Sequence, residues 1–84
     1  MERYKILLKS NVVQEYEAIY SNVERRRMLG MIAALSDDPR PVAATMLPER
    51  VNQFRICAMN YRLIYEINDR TRQVTVFRIA HHRS

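Results

Sequence analysis

The apolar residues of this chain change from a helical spacing to a strand spacing near its middle, and this change restricts the fold more than any other feature. In the first half they recur every three or four positions over two consecutive stretches, which predicts two amphipathic helices. The first stretch contains Val12, Val13, Tyr16, Ile19, Tyr20 and Val23, and the second contains Met28, Leu29, Met31, Ile32 and Leu35. Ser10 or Asn11 is a suitable N-cap for the first helix. The two helices should form a hairpin that breaks near Asn22, with Tyr16 and Tyr20 in the core.

Strand patterns stand on both sides of this hairpin. Residues 4–9 alternate as a short strand, and from Phe54 onward three runs alternate with a period of two, separated by a turn at residues 68–71. Residues 37–50 contain all three prolines and are expected to form a connecting loop. The order βααβββ predicts an α+β domain with the helical hairpin packed on one face of a small twisted, mainly antiparallel sheet.

Length and composition narrow the possible functions. At 84 residues the chain is expected to form a single domain spanning residues 1–84, and its one glycine excludes glycine-rich phosphate-binding loops. Cys57 is the only cysteine, so an internal disulfide is impossible, and a reducing cytoplasm is the expected location. The sequence predicts no signal peptide and no membrane-spanning helix.

The charge is carried mainly by arginine. The net charge of +5 includes 14 basic residues, of which only Lys5 and Lys9 are lysine. Arginine grips phosphates with a planar fork of donors, so a nucleic acid or an acidic protein is the expected partner. If Phe54 and Ile56 face the helices, the alternation of side chains places Arg55 on the opposite, open face, and Arg62 joins it by the same argument.

Two further groups of residues are candidates for this interface. The pair His81 and His82 ends the last strand and is followed by Arg83; imidazoles titrate near neutrality and suit proton transfer. A metal site is not expected there, because adjacent strand residues point to opposite faces and no third ligand is evident. The run Arg25, Arg26 and Arg27 opens the second helix and is either a solvated helix start or an RNA contact. Arg55 and Arg62 could likewise be ordinary solvated strand residues. The last strand is apolar on both faces, so the alternation does not decide which of its faces points toward the helices.

Four segments together resemble one protein family. They are Leu35–Pro41 (LSDDPRP), Phe54–Ile56 (FRI), Tyr61–Ile67 (YRLIYEI) and Val76–Arg83 (VFRIAHHR). In this order and spacing the chain resembles the RelE/ParE superfamily of toxins from type II toxin–antitoxin systems. The resemblance implies a βααβββ fold. RelE-like members cut messenger RNA in the ribosomal A site without a metal, whereas ParE-like members inhibit DNA gyrase, and the YRLIYEI strand is more similar to the RelE side.

The resemblance also implies roles for individual residues. Arg62 matches the arginine that stabilises the transition state of RNA cleavage, and Arg55 matches the first basic position of the same site. His81, His82 and Arg83 cover a basic position on the final strand, with His82 and Arg83 as alternatives for it. Two features depart from the family pattern: Cys57 stands where a second basic residue is common, and Ser84 occupies the region where many members have a tyrosine.

The partners implied by the resemblance are a cognate antitoxin, small, acidic and partly disordered when free, together with the ribosome and messenger RNA. DNA gyrase is the alternative target, and a catalytically weakened paralogue that acts only through antitoxin binding is another alternative. Operator DNA would be bound only through the antitoxin complex. No cofactor and no membrane partner are expected.

Overall fold

The computed structural model describes residues 3–81. These residues form a five-stranded sheet with two helices on one face. The elements are β1 (Lys5–Leu8), α1 (Ser10–Glu17), α2 (Asn22–Ala34), β2 (Thr45–Met46), β3 (Gln53–Ala58), β4 (Tyr61–Asn68) and β5 (Gln73–His81). Across the sheet the order is β1-β5-β4-β3-β2, with β1 parallel to β5 and the other pairs antiparallel. The predicted α+β class and the antiparallel meander of the last three strands are confirmed.

The local predictions for the first helix are wrong in two respects. Its N-cap is Lys9, which makes no capping bond through its side chain, and the helix ends at Glu17, well before the apolar pattern does. Tyr20 therefore lies in the connection between the helices, where it is 97% exposed rather than part of the core. The second helix begins conventionally, because the Ser21 side chain accepts a hydrogen bond of 3.2 Å from the Glu24 amide.

The core lies between the helices and the inward face of the sheet. It is built from one side of each helix and from alternate residues of the three long strands. Its buried members are Val12, Ile19, Met28, Ile32, Leu35, Phe54, Ile56, Leu63, Tyr65, Ile67, Val74, Val76 and Ile79. The alternation expected along β3 and β4 is therefore observed, and the intervening residues project from the other face of the sheet, which we call the open face.

The segment between α2 and β3 is fastened to the sheet by polar contacts. Arg40 donates to both carboxylate oxygens of Asp69, at 3.2 and 2.8 Å, and its guanidinium lies 5.5 Å from the centre of the Phe54 ring. The Tyr4 hydroxyl donates to the same carboxylate at 2.5 Å, and the Tyr65 hydroxyl donates to the Pro39 carbonyl at 2.8 Å. Residues 45–46 of this segment form β2, a strand that the sequence pattern did not predict.

Hydrogen bonding and burial change the pKa values of this cluster. Donation from Arg40, and secondarily from Tyr4, lowers the pKa of Asp69 to about 2. Burial raises the pKa of Tyr65 to about 12. Asp69 is therefore ionised and Tyr65 protonated at neutral pH, which are the forms that their hydrogen bonds require.

Candidate nucleic-acid interface

Three arginines project from the centre of the open face. The strand register arranges the central side chains in two rows, one of Arg55, Ile64 and Arg78, and the other of Cys57, Arg62 and Ala80. Because neighbouring strands lie about 4.8 Å apart, the backbones of β3 and β5 are separated by about 10 Å, with Arg62 offset along the strand between them. We call the surface formed by Arg55, Arg62 and Arg78 the arginine face.

Arg55 and Arg62 lie where the sequence pattern predicts them. Both are half-buried, on β3 and β4 respectively, while their neighbours Phe54 and Leu63 point into the core. The roles in phosphate binding and transition-state stabilisation that the resemblance implies for them stay predictions. Cys57 is exposed beside them, in the row of Arg62.

Arg78 is the member of this face that the sequence reasoning missed. A strict period of two along β5 would place it on the same side as the buried Val74 and Val76. The register shifts instead between Ile64 and Tyr65, which pair with Arg78 and Val76, so that Phe77 is an extra, bulged residue. The bulge reverses the alternation, and Ile79 becomes the next core residue while Arg78 faces outward. The signal in the sequence is the apolar pair Phe77 and Ile79, which follows Val74 and Val76 in the opposite phase.

The structure does not bring His81 together with the arginine face. His81 is paired with Tyr61 across β4 and β5, and their rings meet edge to face at 5.1 Å. Tyr61 packs against the core and shares a face with Leu63, so His81 lies on the helix side of the sheet. Arg62 projects from the opposite side. The expected grouping of His81 with Arg62 is therefore wrong, whereas His82 and Arg83 lie outside the described residues.

The basic run of α2 lies on the helix side of the sheet, opposite the arginine face. Arg25 donates to the Ile19 carbonyl at 2.7 Å and to the side-chain oxygen of Asn22, so it ties the connection between the helices to α2. Arg26 and Arg27 are exposed on the same helix. Since α2 covers the inward face of the sheet, the run lies on the side opposite Arg55 and Arg62, and Arg27 reaches the sheet edge near Ala58 and Met59. An RNA-binding role for them stays a separate prediction.

A largely apolar groove runs between α2 and the edge of the sheet. Its lining consists of Met31, Ala34, Leu35, Asp38, Pro41, Ala43, Ile56, Cys57 and Ala58. In an antiparallel sheet, the backbone N–H and C=O groups of alternate residues in a strand point to opposite neighbouring strands. Gln53 of β3 points toward β2, because its carbonyl accepts from the Leu47 amide, and every second residue after Gln53 points the same way. The Cys57 backbone is directed to that side too, beyond the end of β2. In residues 3–81 no strand pairs with it there, so the groove is bordered by an open strand edge.

Metal ligands and membrane spans are not features of the described region. Within residues 3–81, no three His, Cys, Asp or Glu side chains are grouped so that they could hold a metal ion. Neither α1 nor α2 is long and apolar enough to cross a bilayer.

The fold defined by these elements is that of the RelE toxins. The structure superimposes on isolated E. coli RelE with a TM-score of 0.82 and 18% identity, covering 96% of this chain and 86% of that one. For the RelBE2 toxin–antitoxin complex of Mycobacterium tuberculosis the TM-score is 0.79 at 18% identity, with 95% and 99% covered. The archaeal RelE–RelB complex of Pyrococcus horikoshii matches with a TM-score of 0.79 at 18% identity, with 93% of each chain covered.

Sequence similarity assigns the family. Residues 6–84 match the family described as the ParE toxin of type II toxin-antitoxin system, parDE. The chain therefore belongs to this toxin family, within the RelE/ParE superfamily that the four sequence segments indicate. No curated protein is significantly similar to the chain in sequence.

Proposed function

We propose that this toxin cuts messenger RNA on the ribosome, in a reaction in which a ribose 2′-hydroxyl loses its proton and attacks the adjacent phosphate, the P–O5′ bond breaks, and the 5′-oxygen leaves with a proton. The observation that carries this proposal is the arginine face, in which three adjacent strands each contribute a guanidinium to one side of the sheet. The fold shared with RelE toxins agrees with it.

The chemistry of this attack explains why such a face is useful. As the phosphate becomes five-coordinate, negative charge accumulates on its non-bridging oxygens, and donors already aimed at them stabilise the transition state. A sheet holds arginines more rigidly than a loop does, so less ordering is required when substrate binds. Proton transfer would fall to His82 or Arg83, the alternatives that the family pattern implies.

The decisive experiment follows cleavage of a defined message on purified ribosomes under single-turnover conditions. Arg62→Ala should lower the rate by about 1.5 to 3 decades, because losing one such contact costs about 2 to 4 kcal/mol. Arg50→Ala, which removes an exposed loop arginine, is the charge-matched control and should retain the parental rate. If Arg62→Ala cleaves as fast as the parent, the proposed site is wrong.

Inhibition of DNA gyrase is the second candidate function, and the match to the ParE family favours it. A gyrase inhibitor should block supercoiling of relaxed plasmid by purified gyrase and leave ribosome-bound message intact. Running both assays on the same preparation separates the two targets. A chain inactive in both, although it binds an antitoxin, would be the weakened paralogue.

We further propose that the apolar groove between α2 and β3 receives a segment of the acidic antitoxin. The Mycobacterium tuberculosis and Pyrococcus horikoshii structures with the same fold are toxin–antitoxin complexes, which supports an antitoxin partner for this chain. The groove offers apolar walls, an open strand edge at Cys57 and the exposed Arg27 at its continuation along α2. An extended segment could add a strand there, with its side chains in the groove and its carboxylates near Arg27.

A pair of adjacent alanines tests this docking site. Ala34 lines the groove, whereas Ala33, one residue earlier on α2, is exposed and does not. Ala34→Lys should weaken antitoxin binding at least tenfold, and Ala33→Lys should leave it unchanged, as measured by calorimetry with the antitoxin encoded beside the toxin gene. Equal affinities for the two variants would place the antitoxin elsewhere.

A further inference from the structure

Side chains of α1 take over the pairing of β5 where β1 ends. The last parallel pair joins Leu8 to Val76, and the Lys9 amide then donates to the Val76 carbonyl at 3.1 Å. Beyond this point the strand edge would be unpaired. The Asn11 side-chain amide donates to the Phe77 carbonyl at 2.9 Å, and Glu15 accepts from the Ile79 amide at 2.7 Å. The helix thus satisfies the edge of β5 on both sides of Arg78.

These contacts surround the bulge that turns Arg78 outward. A bulged residue interrupts the ladder, so its neighbours need other partners for their backbone groups. Asn11 binds the bulged Phe77 itself, and Glu15 binds the first core residue after the change of phase. Lys9 adds a further contact, with its ammonium 5.4 Å from the centre of the Phe77 ring. The alternation after residue 77 is therefore maintained by α1 as well as by pairing with β4.

The second oxygen of Glu15 acts on Arg78 directly. Glu15 Oε1 accepts from the Ile79 amide, while Oε2 lies 3.3 Å from Arg78 Nε and accepts from the Asn11 side chain at 3.2 Å. The Glu15 side chain is only 25% exposed, whereas that of Arg78 is 58% exposed. The carboxylate thus has three partners, and it contacts the guanidinium at Nε, the nitrogen attached to the side-chain stem. The closest approach is at Nε, whereas the fork that binds a phosphate is formed by the terminal nitrogens of Arg78.

We infer that Glu15 is a positioning residue, which sets the phase of the end of β5 and aims the Arg78 guanidinium at the RNA phosphate. This inference rests on the proposed RNA-cleaving function. In that function Glu15 does not touch the RNA, and its effect on cleavage passes through Arg78. The cost is one negative charge close to the arginine face, which by itself would weaken RNA binding. The two effects of Glu15 therefore have opposite signs and can be separated.

Glu15→Gln is the appropriate substitution. Its remaining carbonyl oxygen can still accept from the Ile79 amide, but its neutral amide cannot form the ion pair with Arg78. Single-turnover cleavage at saturating toxin should fall about 10- to 100-fold, since small misplacements of a reacting group have effects of this size. RNA affinity should stay equal or rise, because a negative charge is lost. Glu17→Gln, which makes the same charge change at an exposed position of α1, should keep the parental cleavage rate.

A double-mutant cycle shows whether the effect passes through Arg78. In an Arg78→Ala background, Glu15→Gln should cause no further loss of rate, because the group that it positions is absent. An unchanged rate for the single variant overturns the inference. So does an equal loss in both backgrounds, which would mean that Glu15 acts by some other route.

Two measurements on the protein alone distinguish failure of this inference from failure of the proposed function. The NMR signal of the Arg78 Nε–H should shift in Glu15→Gln and remain at its parental position in Glu17→Gln. The Ile79 amide should exchange with deuterium at the parental rate in Glu15→Gln and faster in Glu15→Ala. If the parent cuts no RNA but the Arg78 signal and the Ile79 exchange rate change as expected, the proposed function is wrong and the contact of Glu15 is real. If neither the Arg78 signal nor the Ile79 exchange rate changes, the positioning role of Glu15 is wrong whatever the cleavage activity.

Discussion

The arginine face predicts how RNA affinity responds to salt. Each arginine that neutralises a phosphate of single-stranded nucleic acid contributes about −0.7 to the slope of log K against log salt concentration. Three contacts from Arg55, Arg62 and Arg78 then give a slope of about −2. Raising salt from roughly 50 to 200 mM should weaken binding about 20-fold for the parent and about 7-fold for Arg55→Gln, which retains two contacts.

The assay is fluorescence anisotropy with a labelled 2′-O-methyl RNA oligonucleotide. This probe keeps every phosphate but lacks the attacking hydroxyl, so binding is measured without cleavage. Arg26→Gln is the matched control: it removes the same charge from an exposed position on α2, away from the arginine face. Its slope should equal that of the parent if the basic run of α2 makes no RNA contact.

Two results would refute this reasoning. A parental slope shallower than about −1 would mean that at most one arginine meets a phosphate. A slope for Arg26→Gln that is shallower than the parent's, with Arg55→Gln at the parental slope, would mean that RNA binds the helix side, where the run Arg25, Arg26 and Arg27 lies. In that event the sheet positions of Arg55 and Arg62 would be structural.

Three further predictions concern single side chains. His81→Gln should leave the rate and pH profile of cleavage unchanged, because His81 faces away from the arginine face; a change in either one would contradict this. Tyr65→Phe should lower the free energy of unfolding in urea by about 1 kcal/mol, since one hydrogen bond to Pro39 is lost; an unchanged value would show that the bond contributes nothing. The pKa of Asp69 falls from 3.8 to about 2 on folding, so its stabilising effect is complete above about pH 5 and is lost as pH falls through about 2. The urea midpoints of the parent and Asp69→Asn should therefore differ at pH 6 and approach each other with acidification; a gap at pH 2 as large as that at pH 6 would assign the difference to packing.

Element types and the central strands follow from the sequence because local spacing controls them. Along β3 and β4 each residue is paired without interruption, so the period of two places Arg55 and Arg62 correctly on the open face. The two helices and the resemblance carried by the four segments are likewise properties of local sequence. Boundaries are less well specified, and α1 ends at Glu17 although apolar residues continue beyond it.

The end of β5 could only be decided by the tertiary structure. An alternation pattern predicts faces only while the ladder is unbroken, and one bulged residue at Phe77 exchanges the two faces for every residue after it. That exchange places Arg78 with Arg55 and Arg62, and it sends His81 to the helix side beside Tyr61. The side chains that bond to the backbone of the bulge, those of Asn11 and Glu15, lie more than 60 positions earlier in the chain. Sequence spacing carries no information about a contact between segments so far apart, and packing of α1 against β5 supplies it.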